Sequence, residues 1–116
     1  MWQVKFYSDK NGASPVKDFI NKLAKKSITK VNSIITLLQE KGINLPSPYA
    51  KKLTGVADIW ELRIKHSSNS YRIFYFFLGV NSIYLLHGFT KKTNNTPQNE
   101  IDKAKRRMDE IRKKGC

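Results

Sequence analysis

Trp60-Glu61-Leu62-Arg63-Ile64-Lys65, then the polar run His66-Ser67-Ser68-Asn69-Ser70, then Tyr71-Arg72-Ile73-Phe74-Tyr75-Phe76-Phe77-Leu78, decides the fold. In the first segment Trp60, Leu62 and Ile64 alternate with Glu61, Arg63 and Lys65. That period of two puts successive side chains on opposite faces of a strand. A strand is therefore predicted over Asp58 to Lys65, buried on one face and charged on the other. The last segment is apolar at both parities except at Arg72, which predicts a central strand over Tyr71 to Leu78. Gly79-Val80-Asn81 supplies a second turn, and Ser82 to Phe89 completes an antiparallel meander of three strands.

Outward from the meander the period changes. Ser14-Pro15 combines an N-cap residue with proline at the first helical position, where its missing N–H is harmless. Val16, Phe19, Ile20 and Leu23 follow on one helical face. A second helix is predicted from Ser27, with Ile28, Val31, Ile34, Ile35 and Leu38 as its stripe and Gly42 as its C-terminal cap. Residues 2 to 8 alternate loosely and read as a first strand, closed by the turn chemistry of Asp9-Lys10-Asn11-Gly12. Leu45-Pro46-Ser47-Pro48 is a loop, because each proline holds its predecessor extended. Thr96-Pro97 repeats the cap-and-proline signal before a last helix. The stripe of that helix, Ile101, Ala104, Met108 and Ile111, is narrow and suits the edge of the domain or a partner. The order gives a single α+β domain over residues 1–116, with helices covering one face of a mainly antiparallel sheet. The face carrying Glu61, Arg63 and Lys65 is expected to be the uncovered one.

Charge is the dominant compositional feature. Lys and Arg number 22 against 9 Asp and Glu, a formal net charge of +13. Solubility alone calls for a magnitude of about 2 to 8. Self-repulsion of this size points to a polyanionic partner: nucleic acid first, an anionic membrane surface second, an acidic protein third. The single cysteine, Cys116, permits no intrachain disulfide and reads as a tail residue. Met1 to Phe6 lacks the pattern of a secretory leader, and the apolar run Ile73 to Val80 is too short to span a bilayer. A cytoplasmic protein with no membrane association, metal or cofactor is expected.

The sequence carries no Gly-rich phosphate loop, no H-E-x-x-H, no G-x-S-x-G and no cysteine nucleophile with a base. His66 falls in a turn and reads as solvated. His87, among Leu85 and Phe89, reads as a half-buried structural histidine, with a catalytic role as the alternative. What remains is cationic: Arg63, Arg72 and Lys91-Lys92 on or just beyond three neighbouring strands, with Lys51-Lys52 entering nearby. Strands lie about 4.8 Å apart, so these groups can gather on one patch. A phosphodiester suits them, since arginine offers a bidentate fork and lysine a mobile point charge. RNA also carries its own nucleophile, the 2′-hydroxyl. Arginines that stabilise a phosphorane, with a lysine of depressed pKa to move protons, would suffice for cleavage. The cluster alone is nonspecific, and simple RNA or DNA binding is its plainer reading.

Several segments together resemble a known family. Ser14-Pro15-Val16, Trp60-Glu61-Leu62-Arg63, Tyr71-Arg72-Ile73-Phe74-Tyr75, Leu86-His87-Gly88-Phe89-Thr90-Lys91-Lys92-Thr93, and Thr96-Pro97 before Glu100-Ile101 and Ala104 stand in the order seen in the phage-derived, HigB-related branch of the RelE superfamily. The resemblance covers nearly the whole chain. It implies a RelE-like fold and the toxin of a type II toxin–antitoxin pair, neutralised by a helix-turn-helix, HigA-like antitoxin. It also implies an endoribonuclease that cuts mRNA on the translating ribosome. By position Arg63, Arg72, Lys91 and Lys92 fall on the family's basic motifs as catalytic candidates. Lys51, Lys52 and Lys65 are RNA-binding candidates, and Glu61 is an orienting partner for Arg63. RelE-type toxins vary in their active-site residues, so the resemblance locates a site better than it assigns roles. A ParE-like, gyrase-targeting toxin and a noncatalytic RNA-binding domain are the alternatives.

Overall fold

The meander forms the centre of the sheet, as a computed structural model of the chain shows; residues 1–114 are described, and Cys116 lies outside them. Its strands are β3 (Trp60–His66), β4 (Asn69–Leu78) and β5 (Ser82–Thr90), paired antiparallel. The sheet is wider than the meander. The first strand, β1 (Gln3–Phe6), adds to β5 in parallel, and a three-residue strand, β2 (Ala50–Lys52), adds antiparallel to β3. The result is a mixed five-stranded sheet of order β1-β5-β4-β3-β2. Lys51 and Lys52 thus belong to an edge strand.

Helices α1 (Pro15–Asn21) and α2 (Lys25–Lys41) cover one face. They bury Val16, Ile20, Val31, Ile34 and Leu38 against Leu62, Ile64, Ile73, Tyr75, Ile83 and Leu85. Phe19 is only partly buried, seated so close over Gly88 that a Cβ there would stand 2.6 Å from its ring. Gly42 has a positive φ of 52°, and a Cβ on it would overlap the Trp2 indole, so glycine both caps α2 and lets β1 pass. The two serine and threonine caps are corrected. Ser14 makes no capping hydrogen bond and its buried Oγ has no partner, and the last helix, α3 (Gln98–Lys113), starts one residue after Pro97 without a cap from Thr96.

A larger correction concerns α3. It lies across the opposite face, so the helices are not confined to one side. Ala104, Met108 and Ile111 pack on Phe74, Phe76, Leu86 and Phe89 in a second apolar cluster. A narrow stripe suffices because Tyr7, Ile59, Phe74 and Phe76 meet it with large apolar side chains from the other side of the cluster. A bulge in β5 adjusts that face. Phe74 pairs with His87 but Tyr75 pairs with Leu85, leaving Leu86 as the extra residue. Leu85 therefore joins the α1–α2 core, whereas Leu86 and Phe89 join the α3 core. Simple alternation would have kept Leu85 and Phe89 on one side. No helix among the described residues is long and apolar enough to cross a membrane.

Candidate nucleic-acid interface

Because α3 covers the β4–β5 half of its face, the β2–β3 end is left as an open groove. Register sets what lines it. Arg63 and Arg72 are directly opposite each other on β3 and β4, and Glu61 stands two residues before Arg63 on the same face. Like charges opposed across strands repel. Here one carboxylate serves both: Glu61 Oε1 accepts a hydrogen bond from Arg63 Nε at 2.9 Å, and Oε2 lies 3.3 Å from Arg72 Nε. The second contact is an ion pair whose N–H is not aligned for a hydrogen bond, so Oε2 and that Nε stay open in hydrogen-bonding terms. The side chain of Glu61 is 3% exposed, that of Arg72 9% and that of Arg63 31%. The uncovered charged face expected from sequence is therefore corrected: its carboxylate is buried at the floor. Arg72 also donates to Ser70 Oγ at 2.6 Å, which fixes its guanidinium. Burial, and then the neighbouring Arg63, make its charge harder to hold, while Glu61 opposes both.

Lys91 follows β5 and is tied down by its backbone N–H, which donates to the Ser70 carbonyl at 2.7 Å. Burial lowers its pKa first, then Arg72, with Arg63 and Lys51 adding to the effect and Glu61 working against it. Lys91 stands where two concavities meet. One, of about 420 Å³, is lined by Lys65, Ser70, Arg72, Lys91, Lys92 and Asn94 among others. Its neighbour, of about 330 Å³, includes Lys51, Lys52, Glu61, Arg63, Lys91 and Ile101 of α3. Every candidate cation thus lines one or the other, but not all share one pocket: Lys51 and Lys52 stand on the Arg63 side, Lys65 and Lys92 on the Arg72 side. Ser70 and Asn94 were missed in the sequence, where a hairpin serine and a loop asparagine give no signal.

The histidines fall elsewhere. His66, expected to be solvated, ends β3 with Nδ1 3.0 Å from Ser27 Oγ, which also accepts from the buried Tyr71 hydroxyl at 3.0 Å. His87 is buried between the sheet and α3. Arg107 can only donate, so His87 Nδ1, 3.0 Å from Arg107 Nη1, accepts, and Nε2–H donates to Glu100 Oε1 at 2.7 Å. Burial lowers its pKa in agreement with this neutral tautomer, against the pull of Glu100. Arg107 also donates to the Leu86 carbonyl freed by the bulge, at 3.0 Å. This is a clamp for α3, outside the groove.

Among the described residues no cluster of His, Cys, Asp and Glu could hold a metal ion. No curated protein matches the chain. The family described as Phage derived protein Gp49-like (DUF891) matches residues 18–109, a span running from α1 through the whole groove into α3. The chain belongs to this Gp49-like family of phage-derived proteins, a family of RelE/toxin-like proteins.

Proposed function

We propose that this protein is the toxin of a type II toxin–antitoxin pair and an endoribonuclease that cuts mRNA, with the translating ribosome as its place of action. The 2′-hydroxyl oxygen attacks the adjacent phosphorus, the bond from phosphorus to the 5′-oxygen breaks, and a 2′,3′-cyclic phosphate and a 5′-hydroxyl result. One proton leaves the attacking oxygen, and one from solvent water reaches the leaving oxygen. Arg63 and Arg72 hold the charge of the phosphorane. Lys91, in its neutral form, takes the proton of the 2′-hydroxyl. Glu61 keeps the two guanidiniums side by side. Lys51, Lys52, Lys65 and Lys92 carry the flanking phosphates, and the same cations would be covered by a helix-turn-helix, HigA-like antitoxin.

The observation that supports this reading is the Arg63–Glu61–Arg72 arrangement beside Lys91. Two guanidiniums opposed on adjacent strands are bridged by one buried carboxylate, and both line the open groove beside Lys91. A group with two anionic oxygens satisfies them. The test is single-turnover cleavage of a single-stranded RNA by the purified chain, with and without translating ribosomes. Arg72→Ala is expected to cut about 10²- to 10³-fold more slowly, the loss typical of one preorganised donor, while RNA affinity changes little. Binding without any cleavage would leave a noncatalytic RNA-binding domain. Gyrase inhibition without cleavage would make the chain ParE-like.

A further inference from the structure

We infer that a slot beside Tyr49 receives one unpaired nucleobase of the bound RNA, next to the phosphate held by Arg63 and Arg72; this rests on the RNA-binding reading above.

Of the aromatic side chains among the described residues, Tyr49 alone is exposed. It lines a slot of about 240 Å³ with Pro48, Ile34, Ile64, Lys30 and Lys65, and with Arg63 and Arg72. The slot therefore shares its two arginines with the phosphate groove while presenting apolar walls. Among the described residues no other ring and no cation is placed against the ring of Tyr49, which is 36% exposed. Its backbone is fixed on both sides: Tyr49 N donates to Pro46 O at 3.0 Å, and Tyr49 O accepts from Arg63 N at 2.8 Å.

The slot exists because β2 is short. Its last partner on β3 in that direction is Leu62, so beyond Arg63 the edge of β3 has no neighbouring strand. Arg63 N–H points outward to Tyr49, and by alternation the N–H and C=O of Lys65 point outward too. An apolar wall with a partly exposed aromatic ring, a peptide edge and cations at the rim matches a nucleotide: base on tyrosine, phosphate on arginine. Unpaired RNA bases are held in this way, by stacking on aromatic rings with hydrogen bonds to their edges. A lipid or apolar peptide fits poorly among four cationic side chains.

The test titrates a fluorescent single-stranded 12-nucleotide RNA with wild type, Tyr49→Ala and Tyr49→Phe. It repeats the titration with a set of RNAs in which an abasic unit is walked along the strand. Tyr49→Ala should weaken binding of the intact RNA roughly 5- to 150-fold, the fold-change equivalent of one stacked base, and Tyr49→Phe should bind as wild type. At one position the abasic unit should weaken wild type by a similar factor and leave Tyr49→Ala no weaker than it already was. Equal losses at every abasic position, or unchanged binding by Tyr49→Ala, would overturn the slot while leaving RNA binding in place. A wild-type chain that binds no RNA would overturn the functional reading itself. Melting temperatures of both variants report whether Tyr49→Ala still folds, and Tyr49→Phe tests for a required hydroxyl, which would also overturn stacking.

Discussion

Replacing Glu61 by glutamine removes one charge and almost no volume, so its effect isolates what the carboxylate does for the two arginines. At 3.3 Å and an effective dielectric constant of ~20, the attraction between Glu61 and Arg72 is ~5 kcal/mol, partly offset by the desolvation of both groups. Breaking a buried pair from one side costs about 3–5 kcal/mol, because the other charge is left uncompensated. The Arg63 contact adds under about 1 kcal/mol, since that side chain is 31% exposed and screened by solvent. A domain of this size shifts by roughly 4 °C for each kcal/mol, so Glu61→Gln should melt about 12–20 °C below wild type. The assay is thermal unfolding by circular dichroism, with and without a noncleavable single-stranded RNA. At a fixed concentration about 100 times the Kd of wild type, such an RNA stabilises wild type by about 2.7 kcal/mol. At that same concentration the variant should gain more, because the phosphate then supplies the missing negative charge. A melting temperature within 3 °C of wild type would refute the claim that Glu61 holds the opposed guanidiniums in place.

Other outcomes follow from the same geometry. If neutral Lys91 is the base, the single-turnover rate should rise with pH and level off below the ordinary lysine value of 10.5, and Lys91→Ala should lose that limb; an identical profile in both proteins would remove Lys91 from the chemistry. RNA affinity should fall linearly with log salt, by about 0.7 per phosphate neutralised, and Lys52→Ala should flatten the slope by about that amount; a salt-insensitive affinity would point to a protein target. The lowered pKa of buried His87 means that the unfolded chain takes up a proton near 6.5 while the folded chain does so only at lower pH. Its contribution to stability is therefore complete above 6.5 and lost as pH falls towards the folded value, and urea unfolding should show a shallower loss in that window for His87→Gln. Leu38→Ala should cost about 2–5 kcal/mol, since Leu38 is fully buried, whereas a variant that unfolds at the wild-type urea concentration would mean that α2 does not carry the core.

The three meander strands, all three helices and the cationic residues were legible because each rests on local pattern. Alternation placed Trp60, Leu62 and Ile64 in the core and Arg63 opposite them. Three features were hidden for physical reasons. A strand as short as Ala50–Lys52 shows no period, and the parallel pairing of β1 with β5 joins residues far apart in sequence, which no local pattern encodes. The bulge at Leu86 reverses the parity of β5 and sends His87 and Phe89 to the side opposite Leu85. A strand apolar at both parities announces cover on both faces, so Phe74 and Phe76 by themselves call for α3. The sequence offers Glu61 as a partner for Arg63, but its bridge to both arginines depends on register, which alternation alone leaves free.

The pairing of β1 with β5 has a further consequence for how the protein comes into being. Residues 3–6 find their partners only in residues 82–85. A ribosome making this chain must release most of it before the first strand has anywhere to dock. The strands that carry Arg63 and Arg72 form a contiguous hairpin and can assemble earlier, whereas β1, at the edge of the sheet farthest from the groove, docks only once β5 has emerged.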